Sequence, residues 1–214
     1  MAFPPPVEAA SRDEALVVPT EPVFDFIPAS AVPVPLPKPS PDMPVEHTRP
    51  ALYEEALALF EQGDYLEAQE KLKADSVLPH TAESWALLAR ICANRGELTE
   101  ARSWAEKALG ADKLNAGLHY LRSVILQEQG VNEERIVALK RALYLDPNFV
   151  LAHFALGNFA LQQRNFKEAD KHFANVLGLL ADYQYDDVLP QSDGLVAGRL
   201  KEMVESALAM ERAA

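Results

Sequence analysis

Val150-Leu-Ala-His-Phe-Ala-Leu-Gly-Asn-Phe-Ala-Leu-Gln-Gln-Arg-Asn-Phe-Lys-Glu-Ala-Asp-Lys-His-Phe-Ala-Asn-Val-Leu177 decides the fold. The stretch reads as two amphipathic helices joined by a tight turn near Arg164-Asn165. Small residues stand where the helices must cross closely, Gly157 on the first and Ala169 on the second. Phe154, Leu156, Phe166 and Phe173 flank them. Asp146-Pro147 precedes the unit, and proline suits a first helical turn because its missing N–H has no intrahelical partner there. One such pair cannot bury its apolar faces alone, so it reads as one repeat of a helical solenoid.

The copies lie upstream. Turn glycines fall at Gly63, Gly96 and Gly130, and Arg164 takes the same place in the fourth unit, at spacings of 33, 34 and 34 residues. Five residues after each stands Ala68, Ala101, Arg135 and Ala169; seven before each stands Ala56, Ala89, Ser123 and Gly157. Small residues at two fixed places let paired helices approach, as ridge-into-groove packing requires. Arg135 is the exception, and a local shift that brings Ile136 and Leu139 into the gap is expected there. The pattern predicts helices at 50–61, 65–74, 82–95, 98–109, 116–129, 132–145, 150–163 and 166–180. Thr81, Asn115 and Asn132 stand as N-caps. Asp182 to Pro190 breaks the period. Ser192-Asp193-Gly194 then offers a cap for a ninth helix, whose apolar face (Leu195, Leu200, Met203, Val204, Ala207, Leu208) would cover the open end of the last repeat. The fold class is thus all-α: about four helix pairs at 49–181, then an acidic loop and capping helix at 182–214.

Residues 1–48 differ in kind. Thirteen of the 16 prolines fall at or before Pro50, and Pro33 to Pro41 favours polyproline II. A disordered Pro-rich linker is expected, with Val23-Phe-Asp-Phe-Ile27 as incidental apolar content. Two basic residues against seven acidic ones leave it at −5, within a formal net charge of −12 for the chain. That balance argues against nucleic acid, whose phosphates demand a basic surface. No apolar run is long enough for a bilayer, so no membrane insertion is expected. Met1-Ala-Phe-Pro-Pro-Pro6 lacks the basic and apolar regions of a signal peptide, and the single Cys92 has no partner for a disulfide within the chain. A reducing, cytoplasmic compartment is expected.

A period near 34 residues with these small and apolar positions resembles the tetratricopeptide repeat (TPR). Two pieces go further: Leu118-His-Tyr-Leu121 with Ala142 to Asn158, and Leu189-Pro-Gln-Ser-Asp-Gly-Leu-Val-Ala-Gly-Arg-Leu200. Together, in this order, they resemble the C-terminal TPR region of CheR-type methyltransferases, which methylate chemoreceptor glutamates. In that family a catalytic domain precedes the repeats across a Pro-rich linker. Here nothing before the repeats resembles one: the nine glycines include no Gly-x-Gly turn to hold S-adenosylmethionine, and strand-like content is negligible. No enzyme, no catalytic residue, no cofactor and no metal are expected. His119 and His153 hold equivalent places in successive repeats, where packing explains them without a ligand set. Asp182, Asp186 and Asp187 lack the ordered alternation of a calcium loop.

Function is then expected in the concave groove, lined by the first helix of each pair. Repeat position places Leu87, Arg90, Asn94, Tyr120, Val124, Gln127, Phe154 and Asn158 there, with Tyr53, Leu57 and Leu161. The Lys and Asn clamp of chaperone-tail TPRs is absent; Arg90 and Asn158 are the polar anchors, among aromatics suited to an amphipathic helix or extended peptide. The resemblance implies an interaction module of a bacterial chemosensory pathway, whose partner is a chemoreceptor or a methyltransferase domain. A TPR scaffold of another assembly and one part of a split methyltransferase are the alternatives.

Overall fold

The computed structural model describes residues 48–74 and 81–212. The expected linker and the Val23–Ile27 segment lie outside them, apart from Thr48, which opens the first helix. Four antiparallel helix pairs follow: α1 Thr48–Gln62 with α2 Tyr65–Ala74, α3 Ala82–Asn94 with α4 Leu98–Ala111, α5 Ala116–Glu128 with α6 Asn132–Leu145, and α7 Val150–Gln162 with α8 Phe166–Leu179. A short 3-10 turn, Leu180–Asp182, leads to a loop and then to α9, Ala197–Arg212. Every helix of the four pairs begins and ends within two residues of its expected place.

The turn inside each pair explains the spacing. In α3 the N–H of Gly96 donates to the Ala93 carbonyl and that of Glu97 to the Cys92 carbonyl, at 3.0 and 2.8 Å. This is the Schellman closure, in which a left-handed residue turns the chain back on the last carbonyls. The same two bonds recur from Gly63 and Asp64, from Gly130 and Val131, and from Arg164 and Asn165. The pivots have φ of 88°, 77°, 73° and 55° in chain order. Arg164 therefore adopts the left-handed backbone that glycine supplies elsewhere. Such tight closures leave two residues between the helices of the first pair and three in each of the others, so the period varies by only one residue.

N-capping follows the sequence at Thr81, which accepts from the Ser84 N–H at 3.2 Å, and at Asn115, which accepts from the N–H groups of Gly117 and Leu118. It departs at Asn132. The Schellman turn at Gly130 starts α6 one residue early, so Val131 is the cap and Asn132 is already helical, with no side-chain cap bond. Asn165 caps α8 instead, accepting from the Glu168 N–H.

The core runs along the array. One cluster joins Ala56, Phe60 and Leu72 to Leu87 and Leu88; another joins Ala89, Cys92, Ala101 and Ile125; the largest joins α6, α7 and α8 to α9. The close crossing of α7 and α8 is set by Gly157: a Cβ there would meet Phe173 Cε1 at 2.6 Å. Ala197, Leu200 and Val204 of α9 are buried in the same cluster as Phe173, Val176 and Leu180. Fully burying a residue of the size of Leu200 is worth about 1.5–3 kcal/mol, so this helix closes the open end of the last repeat. Met203, expected on that face, is 39% exposed, because the stripe runs 197, 200, 204, 207 at helical spacing.

Two further expectations are corrected. Arg135 causes no register shift: its N–H donates to the Val131 carbonyl as Ala101 does to Glu97 and Ala169 to Asn165. Its side chain is simply enclosed, at 6% exposure, with the guanidinium carbon 5.8 Å from the Phe159 ring centroid. The ninth helix does not begin after Ser192-Asp193-Gly194. Gln191, Asp193 and Gly194 have φ of 59°, 51° and 95°, which no helix contains. They form the tip of a short hairpin, whose arms pair through Leu189 N–H to Leu195 O, Ala197 N–H to Asp187 O, and a Val188–Val196 bridge.

Candidate partner-binding groove

The first helices α1, α3 and α5 touch one another in succession and form the floor of the groove. Arg90, on α3, extends its guanidinium over the Phe60 ring, 4.4 Å from the centroid. It also pairs with the Asp193 carboxylate, 103 residues later in the chain. Asn94, exposed one turn on, spends its amide N–H on the Arg90 carbonyl at 3.0 Å. Tyr120, on α5, is half-buried with its ring 5.2 Å from that of Phe149. Burial pushes its phenol pKa up, and the Asp193 carboxylate adds to this while Arg135 opposes it. Phe154, on α7, is half-buried with its ring 6.3 Å from Phe173. Val124 is 36% exposed, Gln127 is exposed and Asn158 half-buried.

Leu87 is not a groove residue. It is 2% exposed and belongs to the cluster that joins the first two repeats. Repeat position alone mistook it, because the degenerate first unit leans its Phe60 and Leu72 over this part of α3.

The C-terminal hairpin is the part of the site that sequence reasoning missed. Its tip lies in the groove. Asp193 meets Arg90, and the Gln191 side chain fills the space where a Cβ on Gly117 would go. Its base is anchored by buried Leu189 and by the Tyr185 ring, which rests where Gly198 has no Cβ, with Tyr185 Oη donating to Glu202 at 2.8 Å. The Ser-Asp-Gly turn signal was visible; a contact outside the repeat period was not.

Arg135 adds a second cation beneath this face. Desolvation holds its pKa below the usual arginine value, and the Tyr120 phenol is its one opposing electrostatic neighbour of note. No described carboxylate pairs with it. By contrast, Arg102 and Arg122 both reach Glu134, at 2.8 and 2.6 Å, and these bonds, that of Arg102 foremost, hold its carboxyl below the usual range.

His153 and His172 are buried and meet inside the last repeat. His153 Nε2 lies 3.0 Å from the Pro147 carbonyl, which can only accept, so Nε2 carries the proton and Nδ1 accepts. His172 Nδ1, 3.0 Å away, can donate to it, as can the Asn175 amide at 3.5 Å, while His172 Nε2 lies 3.4 Å from a Glu168 carboxylate oxygen. His119 contacts the Lys113 carbonyl. Among the described residues, the one group of three possible metal ligands is Cys92, Glu97 and Glu100. Burial, then Glu100 and Glu97, push the Cys92 thiol up to about 11, so with no metal bound it keeps its proton at neutral pH.

Residues 53–116 match one tetratricopeptide-repeat family model and residues 116–149 a second. No curated protein matches the chain. Among solved structures, MamA from Desulfovibrio magneticus RS-1 (residues 41 to the end) is 23% identical, with TM-score 0.57, over 64% of this chain and 77% of that one. A tetratricopeptide repeat protein from Parabacteroides merdae is 19% identical, with TM-score 0.57, over 78% and 63%. YrrB, described as a TPR protein with an unusual peptide-binding site, is 13% identical, with TM-score 0.53, over 62% and 69%. The described residues form an all-α TPR array with paired helix packing. Among them no helix is long and apolar enough to cross a membrane.

Proposed function

We propose that the chain is a non-catalytic docking module whose groove receives a peptide or amphipathic helix, and that it serves a bacterial chemosensory pathway beside a CheR-type receptor methyltransferase. The observation that carries the docking role is the shared face of α3, α5 and α7. There Tyr120 and Phe154 hold equivalent places in successive repeats and Arg90 lies one turn along the preceding one. In this reading one ligand segment reaches all three. The peptide-binding site named for YrrB lies on the same fold and supports the reading by analogy. The chemosensory assignment rests on the sequence resemblance of Leu118–Asn158 and Leu189–Leu200. In this reading residues 1–48 are the linker, 49–181 the docking repeats and 182–214 the cap. The matches to general TPR models fit a second reading as well, a TPR scaffold of a different assembly.

The test is binding of the purified chain to receptor cytoplasmic domains and to the methyltransferase, with Tyr120→Ala and Phe154→Ala beside the parent. Truncating a central aromatic costs about 2 kcal/mol, so each variant should bind roughly thirtyfold more weakly. Circular dichroism must show both folded, because both rings also pack on neighbours. Binding to neither protein removes the chemosensory assignment; unchanged affinity in folded variants removes the groove.

A further inference from the structure

The groove already has an occupant, and it belongs to the chain itself. The hairpin tip places Asp193 on Arg90, with the Tyr120 phenol within electrostatic reach, and seats Gln191 against Gly117. Resting on the docking role argued above, we propose that this segment is a built-in competitor. The groove then selects partners that present a carboxylate at a tight turn, as Asp193-Gly194 does, and binding displaces the tip.

Three observations support displacement rather than a fixed cap. First, the contact is light. The Asp193 side chain is 63% exposed and that of Arg90 34%, and an ion pair so open to solvent holds weakly. Second, the tip is strained. Gln191 and Asp193 adopt left-handed backbone, at φ 59° and 51°, where a side chain is disfavoured. The anchoring of α9 does not need the tip, since Leu189, Ala197 and Leu200 are buried below it. Third, the groove is electrostatically matched to an acid. The chain carries −12, yet Arg90 faces the groove and Arg135, with no described carboxylate of its own, acts on Tyr120 beneath it. A ligand carboxylate can take Asp193's place on Arg90 without losing the guanidinium's packing on Phe60.

The probe is a labelled peptide of the chain's own tip sequence, Leu-Pro-Gln-Ser-Asp-Gly-Leu, beside a copy with Asn in place of Asp. Fluorescence anisotropy reads its binding to the full chain, to Asp193→Ala, to Asp193→Asn, and to Asp193→Ala combined with Arg90→Ala. Removing an ion pair this open to solvent shifts the closed population only severalfold, so both Asp193 variants should bind the acidic peptide about three- to fivefold tighter than the parent. The Asn peptide and the Arg90→Ala double variant should lose that gain. Asp193 is an exposed loop-tip residue, and matching thermal melts will show that its variants stay folded. Equal binding by parent and Asp193 variants overturns the proposal, as does a gain that survives Arg90→Ala. Neither result touches the docking role, which fails separately if Tyr120→Ala and Phe154→Ala leave partner binding intact.

Discussion

His153 Nδ1 and His172 Nδ1 lie 3.0 Å apart inside the last repeat, and the Pro147 carbonyl leaves His153 Nδ1 to accept. Burial holds both pKa values below the ordinary 6.5; His153 adds to this at His172, while Glu168 opposes it. The rings are therefore neutral in the folded chain at a pH where the unfolded chain takes up protons. Stability should rise with pH from the depressed folded values up to 6.5 and level off above it. Thermal melts between about pH 5 and pH 7 should show this slope in the parent, and a His153→Gln, His172→Gln double variant should flatten it.

Arg164 carries a left-handed φ of 55° at a pivot where the other repeats have glycine. The side chain costs about 1–2 kcal/mol there, against about 0.5–1 kcal/mol for the greater freedom of glycine when unfolded. Arg164→Gly should raise stability by about 0.5–1 kcal/mol. Urea unfolding should show a higher midpoint with an unchanged slope.

Arg135, at 6% exposure with no described carboxylate partner, keeps its charge at a desolvation cost. Methionine matches its unbranched stem without the charge, so Arg135→Met should raise the urea midpoint. A lower midpoint would mean that the contact with Phe159 outweighs that cost.

Gly157 is the close contact on which α7 and α8 cross, and Gly157→Ala would press its Cβ on Phe173. Overpacking of this kind costs about 1–3 kcal/mol, more than the helix propensity gained. Phe173→Leu in the same chain should recover part of the loss, and a double-mutant cycle measures the coupling.

The repeat frame was legible because each Schellman turn fixes its own neighbourhood. Gly63, Gly96, Gly130 and Arg164 predict the helices before any long-range contact is known. What stayed hidden was set by neighbours outside the period. Leu87 is covered by Phe60 of a degenerate unit. Asn132 loses its cap to a turn one residue earlier. Arg135 was expected to move the backbone, yet its flexible stem absorbs the conflict while the helix keeps register. In the groove, the positions of Arg90, Tyr120 and Phe154 could be written from the repeat. The approach of Asp193 could not, because it lies 103 positions from Arg90 and no periodic signal marks that meeting.

A helical solenoid behaves as a spring, since each repeat touches only its neighbours and small hinge rotations add along the array. The Arg90–Asp193 contact is a clasp across that spring, joining the second repeat to the hairpin tip that follows the fourth. With the clasp shut, the array between them is bridged from its second repeat to its end, and its curvature is lightly biased. Any pull that straightens the superhelix loads this single exposed ion pair before it loads the buried seams between repeats.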